Sequence, residues 1–383
     1  MSYLRRLSTR SLIVLVVAVL ALAGGAAIAV AAGGSGPTPP PKPLDQAIQD
    51  ALAAPTPDGV TARVTFTNKL FPSGALLGGQ VGSALLSGAS GRLWVTPDGR
   101  GRIELQSDAG DVQIVWNPTT LSIFDASSNT VYRVNLPEHS SPAGQDTPPT
   151  LAEIDTFLAD LGVHWAVSAA TPVNVGGQAA YSAQVSPKHD GGLLGSVELA
   201  WDAVHGTPLR AGVYAQGASS PALELAVTEI SYGAVPSSDV DITPPSTAKV
   251  VDLGTPSSGE QASNTPAVTG LAAVTAAADF PVVAPDTLVG LPRRDVRLVG
   301  GDTVLVLYGQ GLGGIALVER KPDAAASSGA MSSLPSVSLD GLTAHELATQ
   351  LGTVLEWQSQ GTGFVLAGSL PPAAAEAAAR AVK

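Results

Sequence analysis

The chain has 383 residues, enough for two domains that each bury a core, and no cysteine, which excludes disulfides, thiolate nucleophiles, zinc–thiolate sites and lipid attachment through a lipobox. Only 14% of residues are charged and the formal net charge is −12. All the basic residues among the first 32 are three arginines, with no acid beside them, so the remainder is strongly acidic, which argues against nucleic acid and against anionic membrane headgroups as partners.

In chain order, residues 1–10 carry Arg5, Arg6 and Arg10 and are predicted to stay cytoplasmic. Residues 11–32 hold no charge and approach the ~20 apolar residues that span a bilayer, which predicts a single-pass anchor with the bulk extracytoplasmic. The alternative is a cleaved signal and a secreted protein. Gly24-Gly25 divides the stretch, and Ala29-Val30-Ala31 suits signal peptidase. Either way the remainder is exported. Residues 33–43 (GGSGPTPPPKP) read as a semi-rigid spacer.

Residues 44–54 place Leu44, Ala47, Ile48, Ala51 and Leu52 on one face, an amphipathic helix. A strand follows over 60–67. The stretch 70–91, apolar yet rich in Gly and Ser, reads as a hairpin loop with tucked leucines, a flexible lip over a cavity or a membrane-contacting tip. Between 91 and 137, RLWV, RIELQ, VQIVW, LSIFD and TVYRV alternate apolar with polar residues. They are separated by Pro97-Asp98-Gly99, Asp108-Ala109-Gly110-Asp111, Asn117-Pro118 and Ser127-Ser128-Asn129, which predicts antiparallel hairpins. After a loop over 137–149, Thr150-Leu151-Ala152-Glu153 is a capping box for a helix with Ile154, Phe157, Leu158 and Leu161 on one face, stopped by Gly162. Strands follow over 165–168, 178–186, 196–202, 208–216 and 222–232. About eleven strands and two helices without βαβ alternation define an α+β domain over 44–253.

Residues 254–277, low in charge and rich in Ser, Thr, Pro and Gly, read as a linker to a small α+β domain over 278–383. Its predicted strands span 295–299, 303–308 and 314–320. A disordered-looking stretch over 321–336 precedes a helix opened by a second capping box, Thr343-Ala344-His345-Glu346. A strand over 363–367 leads into a helix begun by Ser369-Leu370-Pro371.

No catalytic constellation stands out, and no enzyme activity, metal or cofactor is expected. His139, His164, His189, His205 and His345 are scattered, and His345-Glu346 lacks the second histidine of HExxH because Thr349 occupies that position. Gly309-Gln310-Gly311-Leu312-Gly313-Gly314 matches GxGxxG, but the following IALVERK alternates as a strand where phosphate binding needs a helix N-terminus, so a hairpin turn is predicted. What remains is apolar surface. One sheet face is expected to present Val64, Phe66, Leu93, Val95, Ile103, Leu105, Val112, Ile114, Trp116, Ile123, Val131, Tyr181, Ala183, Val185, Leu199 and Trp201. The same residues describe an ordinary core. Yet two helices are few to cover so wide a sheet, and an uncovered remainder would be a groove suited to acyl chains.

The stretch GRLWVTPDGRGRIELQSDAGDVQIVWNPTTLSIFDASSNTVYRVNLP resembles the first half of LolA-like lipoprotein carriers, especially their actinobacterial branch. ELAWDAVHGTPLRAGVYAQ resembles that family's closing hairpin, with the match on Trp201, Asp202, Gly206, Pro208, Leu209 and Arg210. The resemblance covers roughly 44–253. It implies a strongly curved antiparallel sheet, an incomplete β-barrel wrapped over helices, whose apolar cavity holds acyl chains of a lipid or lipoprotein. RseB-like members add a C-terminal domain, weakly similar to LEWQSQGTGFVLAGSLPPAAAEAAARAV here. They imply an alternative: an envelope-stress regulator that binds a membrane protein such as an anti-sigma factor. Without cysteine the chain departs from the lipid-anchored relatives, and no ligand-contacting residue carries over from the family.

Overall fold

The computed structural model describes residues 36–70, 84–136, 148–189, 191–252, 268–299, 302–321 and 334–382. The expected anchor or signal over 11–32 lies outside these residues, as do most of the 70–91 insertion, most of the 137–149 loop, the first part of the 254–277 linker and most of the 321–336 stretch. Among the described residues no helix is long and apolar enough to cross a membrane. The described residues form two compact units, the first within 36–69, 84–187 and 195–252, the second within 188–194 and 268–382.

The first unit opens with α1 (Leu44–Ala53) and β1 (Val60–Asn68), then the short α2 (Ala84–Ser87) and the meander β2 (Ala89–Val95), β3 (Gly101–Gln106), β4 (Val112–Trp116), β5 (Thr120–Asp125) and β6 (Thr130–Asn135). The expected turn residues close these hairpins. The Asn117 carboxamide oxygen accepts from the Thr119 and Thr120 amides at 2.9 and 2.8 Å, and the Asp125 carboxylate accepts from the Ser127 amide at 2.9 Å. Next come α3 (Leu151–His164), β7 (Trp165–Val167), β8 (Thr171–Val175), β9 (Gln178–Pro187), β10 (Leu194–Asp202), β11 (Pro208–Ala215), β12 (Leu223–Tyr232), the single-turn α4 (Ser237–Val240) and β13 (Lys249–Asp252).

The sheet runs β13-β6-β5-β4-β3-β2-β1-β12-β11-β10-β9-β7, with β8 paired to β9 off this path. Two strands exceed the expectation. β8 contains a proline, and β13 is a four-residue parallel edge on β6, so neither has the length or alternation that marks a strand. The α3 capping box forms as predicted: the Thr150 amide donates to the Glu153 carboxylate at 2.8 Å while the Glu153 amide donates back to the Thr150 hydroxyl at 3.4 Å. Two expectations about α3 fail. It runs past Gly162 to His164 because β7 begins there, and of its apolar face only Ile154 is buried while Phe157 is 60% exposed.

The second unit contains α5 (Leu271–Ala277), β14 (Thr287–Leu288), β15 (Leu291–Val299), β16 (Thr303–Tyr308), β17 (Ile315–Arg320), β18 (Ser336–Leu339), β19 (Leu342–Thr349), β20 (Gly352–Ser359), β21 (Thr362–Gly368) and α6 (Pro372–Arg380). Its eight strands run β14-β15-β16-β17-β21-β20-β19-β18. α5 falls within the expected linker, and its fully buried Val274 belongs to the core of this unit with Phe280, Leu317, Leu355, Phe364 and Ala378. The helix expected from Thr343-Ala344-His345-Glu346 is strand β19. Asp340 and Gly341 both take positive φ (50° and 96°), closing a two-residue hairpin that sets β19 against β18 and turns Ala344 into the core. Tertiary pairing overrides the local capping signal. The described elements of both units are mostly strand, with few helices.

Candidate functional site

The first unit's meander builds one apolar face by strict register. Ala62 pairs with Leu93, Leu93 with Ile103, Ile103 with Ile114 and Ile114 with Ile123. A second row sets Val64 against Gly91, Gly91 against Leu105 and Leu105 against Val112. Across the other edge of β1, Val64 faces Val227 and Phe66 faces Leu225, which in turn faces Ala211. An extra residue in β12 opposite Arg63/Val64 adds a bulge that increases local twist.

These rows converge on a hollow. Phe66, Leu85, Ile103, Leu105, Ile114, Ala211, Val213, Leu223 and Leu225 line a solvent-open depression with a volume of about 50 Å³. β4 and β11 are separated by four intervening strands in the sheet order, so a flat sheet spaced at about 4.8 Å would hold them more than ~20 Å apart. Their side chains bound one depression, so the sheet curls. Glu224 also borders the hollow. Its side chain alternates to the opposite face from Leu223 and Leu225, where it lies across from Gly212.

That opposite face carries a polar network. Arg210 pairs with the buried Glu198 carboxylate, and the Tyr214 hydroxyl donates to Glu198 at 3.1 Å. Burial, reinforced by the Glu198 charge, pushes the Tyr214 hydroxyl well above its usual range. Burial also raises the Glu224 carboxyl; the Arg210 charge opposes this and the Glu198 charge adds to it. The residues singled out around Trp201 explain the β10–β11 hairpin. The Asp202 carboxylate accepts from the Val204 and His205 amides at 2.7 and 2.8 Å, and from the Tyr232 hydroxyl at 2.7 Å. His205 stacks on Tyr232 at 3.7 Å between ring centroids. Gly206 has φ +65°, and a Cβ there would lie 2.1 Å from the Ala51 carbonyl oxygen in α1.

The residues expected on one face divide. Phe66, Ile103, Leu105 and Ile114 line the hollow, and Val64, Leu93, Val95, Val112, Trp116 and Ile123 extend the same apolar cluster. Tyr181, Ala183, Leu199 and Trp201 instead form a separate cluster covered by Leu44, Ala47, Ile48 and Ala51 of α1. Val185 pairs with Val167 and Val197 away from the hollow. Val131 faces the other way: it lies across from Phe124 and Val250, out of step with Ile123 by one residue, and one residue reverses the face. The sequence reasoning missed Leu85, Ala211, Val213, Leu223 and Leu225. Alternation within PLRAGVYA and LELAVT carried that signal for the last four. Leu85 sits beside the irregular insertion and gave none.

Among the described residues no group of His, Asp and Glu could hold a metal ion. Gly309–Gly314 forms the predicted hairpin turn, with a 3₁₀ turn at Gly311–Gly313 leading straight into β17.

No protein-family model matches the chain, nor does any curated protein sequence. Solved structures are similar in fold. MucB in complex with the periplasmic part of MucA superposes with a TM-score of 0.41 at 15% identity, covering 89% of this chain and 96% of that one. The Pseudomonas aeruginosa MucA/MucB complex gives 0.42 at 15%, covering 88% and 95%. A putative outer membrane lipoprotein-sorting protein domain from Vibrio parahaemolyticus gives 0.25 at 12%, covering 51% and 95%. At such identity and superposition, what those proteins bind stays with them.

Proposed function

We propose that the first unit is a binding module that holds an apolar chain, such as the acyl chain of a lipid or lipoprotein, in the hollow of its curled sheet. The observation that carries this reading is a depression walled by nine apolar side chains and open to solvent. Apolar burial needs no covalent step, and no catalytic role is assigned. Each methylene buried against these walls supplies ~0.8 kcal/mol before ordering costs, so affinity comes from apolar contact alone. In the same reading the uncharged segment 11–32, preceded by Arg5, Arg6 and Arg10, exports the protein as an anchor or as a cleaved signal.

Titration of the full chain with a fluorescent fatty acid tests the site. Saturable uptake that unlabelled fatty acid competes away, weakened at least about tenfold in Ala211→Phe with an unchanged circular-dichroism spectrum, is expected. No saturable uptake by the wild type overturns the proposal.

A second reading, a surface for a membrane-protein partner, is favoured by one feature. α3 leaves Phe157 and Val163 60% and 63% exposed. Cross-linking in cells that recovers a membrane protein from the wild type and loses it in Phe157→Asp supports this reading. Recovery unaffected by the substitution rejects it.

A further inference from the structure

The core of the second unit holds a carboxylate. β17 alternates Ile315, Leu317 and Glu319 toward the interior, and Glu319 is fully buried opposite Val304 and Phe364. One carboxylate oxygen accepts the Val283 amide at 2.9 Å, and the other has no hydrogen-bond partner. Val283 belongs to the irregular segment 279–286, which has no strand ladder of its own and is pinned at discrete points. Lys321 pairs with Asp279, the Thr362 hydroxyl donates to the Pro281 carbonyl at 3.3 Å, and Arg293 holds both the Ala284 carbonyl and the Asp286 carboxylate. The segment's own Phe280 is buried in the core of the sheet with Leu288, and its Val282, Val283 and Ala284 pack against that core.

We propose that segment 279–286 is a pH-sensitive strap latched by protonated Glu319, closed in acid and loosened toward neutrality. A neutral carboxyl still accepts the Val283 amide and carries no charge into an apolar core; an ionised one does, with a single neutral donor to stabilise it. Burial accordingly raises the Glu319 carboxyl from 4.5 to about 7, opposed only by the Val283 hydrogen bond. The surrounding charges do not alter this balance. β16 presents Tyr308, whose hydroxyl is itself pushed up by burial and then by the Glu319 charge. Asp279 and Asp286 are paired with Lys321 and Arg293. β20 and β21 place Trp357 and Phe364, neither titratable, in the same register row as Glu319. Burial raises the Glu346 carboxyl of β19, and the Glu376 charge of α6 adds to that shift.

The sign follows from linkage. The closed form binds its proton more tightly than the open form, so closure is favoured fully below the ordinary carboxylate range and is lost as pH rises toward 7. Hydrogen exchange of the Val283 amide in the full chain, corrected for intrinsic rates, reads this out. Protection of 279–286 is expected to fall by up to about tenfold per pH unit between about pH 4.5 and 7, then level off. In Glu319→Gln the profile is expected to be flat. A flat wild-type profile, or an unchanged fall in Glu319→Gln, overturns the proposal. Should Glu319→Gln not fold, infrared spectroscopy of the wild type decides: a protonated carboxyl band persisting above about pH 6 supports the latch, and its absence overturns it.

Discussion

Gly206→Ala tests how α1 is fixed to the β10–β11 hairpin. Two costs add. An L-residue in the left-handed region at φ +65° is disfavoured by about 1–2 kcal/mol. The new Cβ also starts 2.1 Å from the Ala51 carbonyl oxygen, so α1 must retreat by more than ~1 Å from a hairpin it packs against, an overpacking of about 1–3 kcal/mol. That retreat loosens Ala47 and Ile48 from Tyr181 and Trp201. The sum is about 2–5 kcal/mol, read by thermal denaturation as a drop of about 4–20 °C for a unit of this size. Gly177→Ala is the control. It shares a positive φ, +81°, but a Cβ there meets nothing within 4 Å, so it should cost about 1–2 kcal/mol only. Equal losses in the two variants would refute the claim that close approach to α1 selects glycine at 206.

Other consequences are as direct. Arg210→Met strands the buried Glu198 carboxylate and should cost about 3–5 kcal/mol by chemical denaturation, whereas Arg210→Met with Glu198→Leu should recover most of it; no recovery would mean the pair acts otherwise. In the second unit, wild-type stability should decline by about 3 kcal/mol as pH rises from 4.5 to 7, because the folded state holds the Glu319 proton more tightly; Glu319→Leu should remove that slope in urea titrations at several pH values. Gly341→Val, which forces a β-branched residue to φ +96°, should destabilise the β18–β19 hairpin by at least about 1–2 kcal/mol in the same assay, while His345→Leu should leave zinc binding unchanged at background.

Much of the first unit was legible because its hairpins are local. Turn residues such as Asn117 and Asp125 announce each reversal, and period-two alternation assigns Leu93, Ile103 and Ile114 to one face. Faces of separate hairpins cannot be joined by alternation alone. Placing Tyr181 and Trp201 with Phe66 required knowing the β10–β11 connection and where α1 docks, both long-range facts. Val131 shows how one residue of register decides a face. In the second unit the Thr343–Glu346 capping pattern misled, while Asp340-Gly341, an Asp-Gly pair like Asp98-Gly99 of the first unit, carried the correct signal. Glu319 was invisible as a core residue, since a lone glutamate at the end of an alternating strand reads as exposed.

The central claim, that the curled sheet's hollow holds an apolar guest, is met most directly by native mass spectrometry of the protein purified from its own host. The account predicts a population heavier than the bare chain by the mass of one lipid, depleted in Ala211→Phe. Bare chain alone in the wild type, or an adduct retained undiminished when the hollow is filled, would contradict it.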